Sequence, residues 1–180
     1  MKRVPLEVQI GELLKAKKVK LVLAESCTGG LIGHMVTNIP GSSDYYLGSV
    51  TAYAYEAKET LLGVSHETLN RFGAVSRQTV LEMAAGARKS LAGQIPLDTI
   101  IGVSVSGIAG PGGGLPGKPV GTVWIGMSTP TGEWAWRLCL KGDRIKNKKD
   151  SAKTVLKLIC LYLEDTLPPE SWPGCREVGL

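Results

Sequence analysis

A short apolar run, Val19-Lys-Leu-Val-Leu23, breaks at Ala24-Glu-Ser-Cys-Thr-Gly-Gly30. It gives way to Leu31-Ile-Gly-His-Met-Val-Thr-Asn-Ile39, whose apolar residues fall at 31, 32, 35, 36 and 39. The first run reads as a buried strand and the last as a helix. Ser26 therefore stands where a strand turns into a helix, and Gly29 and Gly30 let that turn be tight and open to close approach. N–H groups at a helix start point at an anion or at a developing oxyanion. A serine in this position is either a helix cap or a nucleophile.

The remaining elements fit the same alternation. Residues 5–17 read as an amphipathic helix that places Val8, Ile10, Leu13 and Leu14 on one side. The helix over 28–39 stops at Pro40-Gly41, and 45–54 is β-branched and aromatic, hence a strand. Short helices follow at 56–62 and 65–69, and Ser76 caps a longer one. The run 99–105 reads as a central strand, and 120–127 and 133–140 form a hairpin around Pro130-Thr-Gly132. A last helix spans about 144–164, with one Lys-rich side. The expectation is one α/β domain over 1–165, a mixed β-sheet flanked by helices, and a loosely ordered tail over 166–180.

Composition narrows the function classes. Hydrophobic residues make up 43% and charged residues 21% of the 180, ordinary values for a globular domain. No apolar run approaches the ~20 residues of a membrane span, and Met1-Lys-Arg-Val-Pro-Leu lacks a signal core, so a cytoplasmic chain is expected. Cysteines at 27, 139, 160 and 175 show no Cys-x-x-Cys spacing and only two histidines are present, which argues against a Cys/His zinc site and a disulfide framework. The net charge of +5 permits an acidic partner without choosing a nucleotide phosphate over a nucleic acid. The absence of a recognition helix or aromatic platform speaks against nucleic acid.

Glycine occupies five of the eight positions 107–114. Pro111, Pro116 and Pro119 deny the helix a dinucleotide fingerprint needs. Gly112 to Lys118 has P-loop spacing, but Pro119 replaces the metal-binding hydroxyl. A loop that wraps a ligand with backbone N–H groups explains these glycines better than a plain turn does. Serine chemistry also needs a base. His34 lies within the helix after Ser26 and His66 opens a surface helix, so both read as structural. A lysine base must be neutral near pH 7, about three units below its ordinary ~10.4. Lys58, in a segment of Tyr and Ala near Tyr53, is the candidate. Cys27 reads either as a second nucleophile or as a small buried residue.

Six segments occur in register: Ala24–Gly30; Val50-Thr-Ala-Tyr-Ala-Tyr-Glu-Ala-Lys58 with Leu61-Leu-Gly-Val64; Gly73-Ala-Val-Ser76; Ser104-Val-Ser-Gly-Ile-Ala-Gly-Pro-Gly-Gly113; Lys118-Pro-Val-Gly-Thr-Val123; and Gly142-Asp-Arg144. Together they resemble the C-terminal domain family of the competence- and damage-inducible protein CinA, whose stand-alone members are nicotinamide-nucleotide amidases. The resemblance spans roughly residues 5–165. It implies an α/β/α fold, and conversion of nicotinamide mononucleotide and water to nicotinate mononucleotide and ammonia without metal or cofactor. It further implies a catalytic set of Ser26, Tyr53 and Lys58. Substrate contacts are implied at Cys27, Thr28, Gly29, Gly30, Ser43, Ser106, Gly107, Ile108, Ala109, Gly110 and Arg144. A homo-oligomer acting in NAD salvage is also implied. With Ser26 as nucleophile, the cap role passes to Thr28. The chain departs from the family at Tyr55, where Asn is usual, and at Ile145-Lys-Asn-Lys-Lys149, where Lys148 stands in for a second arginine. A non-catalytic nucleotide-binding or regulatory module of the same family is the first alternative, and a nucleic-acid-associated competence or damage protein the second.

Overall fold

A computed structural model describes residues 4–170. The elements are α1 (Leu6–Lys17), β1 (Lys20–Glu25), α2 (Leu31–Thr37), β2 (Tyr46–Thr51), α3 (Tyr55–Leu62), α4 (His66–Phe72), α5 (Arg77–Ala92), β3 (Ile100–Gly107), β4 (Thr122–Thr129), β5 (Gly132–Cys139) and α6 (Arg144–Leu163). One sheet runs in the order β2-β1-β3-β4-β5. The first three strands are mutually parallel, and β4 and β5 add antiparallel. The mixed α/β sheet expected from the alternation is the fold observed.

Side-chain alternation on β1 explains the two layers. Leu21 and Leu23 face a core built with Ile10 and Leu14 of α1, Ile32 and Val36 of α2, and Val155, Leu158 and Ile159 of α6. Val22 and Ala24 face the opposite core, with Leu62 of α3, Leu69 of α4, and Met83 and Ala87 of α5. Because both faces are covered, β1 and β3 are buried along nearly their whole length. Chain direction then fixes the site. The helix after β1 packs on one face and the helices after β2 pack on the other. The carboxyl ends of β1, β2 and β3 meet at one edge, at the point where the winding reverses, which is where open α/β sheets leave a crevice.

Helix α5 approaches its neighbours backbone to backbone. A Cβ at Gly102 would stand 2.4 Å from the Ala84 carbonyl oxygen, and one at Gly126 2.4 Å from that of Val80. The Ser104 hydroxyl donates to the same Val80 carbonyl. On the far side of α5, a Cβ at Gly86 would lie 1.8 Å from the Leu62 carbonyl oxygen, where α3 ends.

Element bounds move by a few residues from the sequence expectation, most at the ends. The strand expected to stop at 23 continues to Glu25, and α2 begins at Leu31 rather than 28. Of the expected tail, Thr166, Pro168 and Glu170 make defined hydrogen bonds. Thr166 N–H donates to the Leu161 carbonyl, the Trp136 indole donates to the Pro168 carbonyl, and Glu170 accepts from Arg77 and from Ala135 N–H. Residues 171–180 lie outside the described residues. No helix among the described residues is long and apolar enough to cross a membrane.

Replacing Gly86 with alanine forces α5 away from the end of α3. Overpacking of this kind costs about 1–3 kcal/mol, so urea unfolding of Gly86→Ala is expected to show a lower midpoint with an unchanged slope.

Candidate active site

The turn at the end of β1 is built around Glu25. Its side chain is fully buried. The carboxylate accepts from Thr28 Oγ1 (2.7 Å), Gly30 N–H (3.1 Å), Ile32 N–H (3.1 Å) and Gly33 N–H (2.8 Å). Two sequence expectations are corrected here. The N–H groups at the start of α2 are not open to an external anion, because the chain supplies its own. Thr28 is not the cap, since its hydroxyl donates to Glu25, and the N-cap position is Gly30. Positive φ values at Gly29 (64°) and Gly30 (92°) let the chain fold back over the carboxylate. Ser26 N–H donates to the Val105 carbonyl of β3, and Gly29 N–H donates to the Ser26 carbonyl. Ser26 is thus fixed from both sides while its own side chain stays out of the turn's hydrogen bonding.

Lys58, on the first turn of α3, reaches Ser26. The side chain is fully buried, and Nζ lies 3.0 Å from Ser26 Oγ, 2.8 Å from the Ala52 carbonyl oxygen and 3.1 Å from that of Tyr53. The strand end that carries these carbonyls is tied to β1 by Ala52 N–H donating to the Glu25 carbonyl. Burial pushes the Lys58 pKa down from 10.5 to about 8, opposed by the neighbouring Cys27. A neutral amine has two N–H bonds and one lone pair. Nζ donates to Ser26 Oγ and to both carbonyls; once neutral, an amine that keeps its two N–H bonds on the carbonyls turns its lone pair toward the serine hydroxyl. Cys27 is in the opposite condition. Burial first, and the charge of Glu25 after it, push its thiol up to about 12, against the pull of its own backbone N–H and of Lys58 and Lys148. A thiol held protonated is a poor nucleophile, so the structure favours the small-buried-residue reading of Cys27.

The other expected residues divide into those at this edge and one that is not. Tyr53, 59% exposed as a residue, touches Lys58 through its carbonyl, while its phenol accepts from Arg144 Nη2 at 2.9 Å. Arg144 Nη1 donates to the Gly110 carbonyl at 2.8 Å, so one guanidinium braces the β2–α3 connection against the glycine loop. Ser106 and Gly107 end β3 beside Ser26, and Ile108, Ala109 and Gly110 continue over the same edge. Ser43 is not brought to the site. It precedes β2, and Leu21 at the beginning of β1 pairs with Tyr46, so Ser43 lies at the opposite end of the parallel strands. Tyr55 turns away: its hydroxyl accepts from Ala74 N–H ahead of α5. Neither histidine contacts Ser26 or Lys58. His34 is exposed on α2, and His66 pairs with Glu59.

Sequence reasoning missed Glu25 and Asn147. The Asn147 amide is buried and donates to the Ala109 and Gly142 carbonyls while accepting from Gly142 N–H. It anchors the glycine loop to α6. Asp143 caps α6 by accepting from Lys146 N–H, and the triplet Gly142-Asp-Arg144 was the available signal for both. Among the described residues no cluster of three His, Cys, Asp or Glu could hold a metal ion.

Residues 3–163 match the sequence profile of the CinA C-terminal domain. The chain belongs to the CinA C-terminal domain family. A CinA-like protein of Salinibacter ruber is 47% identical over 154 residues, 86% of this chain and 36% of that protein. The chain spans about a third of the length of such relatives. A relative from Shigella flexneri named nicotinamide-nucleotide amidohydrolase PncC is 42% identical over 86% of this chain and 90% of its own length. Among solved structures, a CinA superfamily protein of Klebsiella pneumoniae superposes with a TM-score of 0.82 at 31% identity, covering 89% of this chain and 96% of that one. A competence/damage inducible protein of Agrobacterium tumefaciens superposes with a TM-score of 0.77 at 34% identity, covering 91% and 99%.

The Glu25→Gln variant turns an amide NH2 toward donors that need an acceptor, at a cost of about 1–3 kcal/mol. Chemical denaturation is expected to show that loss, and the Glu25→Asp variant is expected to recover only part of it. In the native protein at pH 8, iodoacetamide is expected to leave Cys27 unmodified while it labels Cys27 fully in urea, as read by peptide mapping.

Proposed function

We propose that this chain hydrolyses the carboxamide of nicotinamide mononucleotide, giving nicotinate mononucleotide and ammonia, with Ser26 as nucleophile and Lys58 as its base. The observation that carries this reading is the contact of Lys58 Nζ with Ser26 Oγ, with the remaining amine hydrogens held by Ala52 and Tyr53. The name of the relative from Shigella flexneri, which this chain matches over 90% of that protein's length, supports the same substrate.

In the first step Lys58 takes the Ser26 proton as Oγ attacks the carboxamide carbon, whose carbonyl electrons move onto oxygen. The turn commits Ser26, Gly29 and Gly30 N–H groups elsewhere, which leaves those of Cys27 and Thr28 to receive the oxyanion. The protonated Lys58 then gives its proton to the departing nitrogen, and ammonia leaves an ester on Ser26. Water, deprotonated by Lys58, opens that ester and the serine is restored. The substrate's pyridinium is cationic and lowers the amine's proton affinity further. Tyr53 serves through its carbonyl on the amine and through its phenol on Arg144, and Arg144 holds the 106–110 loop over the substrate. The turn residues 27–30 and the loop Ser106 to Gly110 form the substrate's walls. A homo-oligomeric, cytoplasmic enzyme of NAD salvage is the setting this reading carries with it.

Ser26→Ala is expected to fold and to release no ammonia above background. An intact fold with undiminished release sinks the proposal. Lys58→Ala is expected to lower kcat by about 10²–10⁴. A base must be unprotonated to act, so activity rises with pH. The profile of kcat/KM, which reports the free enzyme, is expected to bend near pH 8, and that of kcat at a lower pH because bound substrate is cationic. A profile that falls from pH 6 to 8 contradicts a lysine base.

A further inference from the structure

Among the described residues β2 and β5 end the sheet, and the two ends are built differently. β2 is six residues long, and its pairing with β1 skips Leu47, beside which Gly48 takes a φ of 143°. Such a break disturbs the outer row of N–H and C=O groups and discourages another strand from adding. β5 has no break. It is eight residues long and pairs with β4 through eight consecutive positions, from Gly132 to Cys139. A long, regular edge of this kind is a template for a further strand.

Among the described residues, what covers the β5 edge is the segment after α6. The helix finishes in a reversal. Asp165 takes a left-handed φ of 57°, its N–H donates to the Tyr162 carbonyl, and Thr166 N–H donates to that of Leu161. Leu167 then packs on the core that α1, α2 and α6 cover. The Pro168 carbonyl accepts from the Trp136 indole at 3.3 Å. Glu170 accepts from Ala135 N–H at 3.0 Å and takes Arg77 in a two-pronged pair, Nη2 to Oε1 at 2.8 Å and Nε to Oε2 at 3.2 Å. Arg77 opens α5, on the opposite layer. Residues 166–170 therefore leave one helical layer, cross the strand edge and end on the other. Pro168 and Pro169 have no N–H groups, so this cover cannot itself extend the ladder.

We infer that residues 166–170 are an autoinhibitory strap, which keeps a second copy of this chain from pairing with the sheet β5 against β5. The sequence of the edge is complementary to itself. Ala135 N–H points outward, and by strand alternation those of Glu133 and Arg137 point the same way. Antiparallel pairing of two copies centred on Ala135 sets Glu133 of each opposite Arg137 of the other, and Trp134 opposite Trp136. Opposite charges and aromatic pairs in register stabilise such a contact, and a two-fold axis repeats each of them. The lock on the strap is a surface ion pair, with Arg77 44% and Glu170 34% exposed in their side chains. Pairs of that kind are weak and screened by salt, so the strap is held lightly enough to release.

Amide hydrogen exchange and light scattering on the full chain test this, with wild type beside Glu170→Ala and Glu170→Gln. At low protein concentration the Ala135 amide is expected to exchange on the order of tenfold faster in Glu170→Ala than in wild type. Glu170→Gln is expected to fall between them, because its amide oxygen still accepts. At high concentration Glu170→Ala is expected to reach twice the wild-type mass, with the Ala135 and Arg137 amides protected. Adding Arg137→Glu, which sets like charges opposite each other, is expected to return the mass to that of wild type. Wild-type exchange at Ala135 in Glu170→Ala overturns the inference, as does an unchanged mass at every concentration. A mass increase that leaves the Ala135 and Arg137 amides exposed, or that survives Arg137→Glu, puts the contact elsewhere and overturns it as well.

Discussion

The carboxylate of Glu25 is the interaction on which the rest of the site depends. A charge buried without partners costs several kcal/mol, and this one is answered by a hydroxyl and three backbone N–H groups within one turn of chain. Those four bonds define the path from β1 into α2 and cap the helix from within. They also fix which N–H groups remain for chemistry. A helix start left open would attract any anion, whereas here Glu25 takes the Gly30, Ile32 and Gly33 N–H groups. The Glu25 main chain completes the arrangement, since its carbonyl receives Ala52 N–H and so sets the height of the strand end that holds Lys58.

That chain of dependence explains why the partner of Ser26 comes from 32 residues away. Lys58 lies on α3, on the opposite face of the sheet from α2, and only the common edge of β1 and β2 brings the two side chains together. The parallel register does the positioning. Val105 of β3 fixes the Ser26 backbone from one side while β2 delivers Ala52 and Tyr53 from the other. The glycine loop after β3 is then tied down by Arg144 and Asn147 at the beginning of α6. Each of the three parallel strands thus contributes one wall, and the last helix locks the third.

Much of this was legible in the sequence because it depends on local pattern. The strand, the glycine turn and the helical spacing around Ser26 place it correctly, and Lys58 is distinguishable because it sits among apolar and aromatic residues rather than on a solvated face. Glu25 was not legible. An acid at the end of an apolar strand has the same appearance whether it meets water or closes a helix, and only the folded-back turn makes the distinction. Asn147 is similar, a polar residue whose burial follows from packing of α6 on the 108–110 segment. Ser43 was misplaced for a topological reason. Loops that precede parallel strands lie at the opposite edge from loops that follow them, so sequence proximity to the site strands was no guide. The cap assigned to Thr28 failed because a carboxylate competes better than a hydroxyl for several N–H groups at once.

The contrast between Cys27 and Lys58 favours the proposed serine nucleophile over the thiol next to it. Burial disfavours whichever form of a group is charged. For Lys58 it eases the loss of a proton, with the pKa brought to about 8. For Cys27 it retains a proton and leaves an inert thiol, with the pKa at about 12. A water-poor edge therefore favours a pair that works by neutral proton transfer, as proposed for Ser26 and Lys58, over one that needs a preformed anion. In the proposed mechanism the serine hydroxyl does not have to ionise ahead of attack, because its proton moves to the amine 3.0 Å away. A buried amine with its hydrogens directed by two main-chain carbonyls is thus a better partner for this environment than a histidine, whose second nitrogen would need an orienting group of its own.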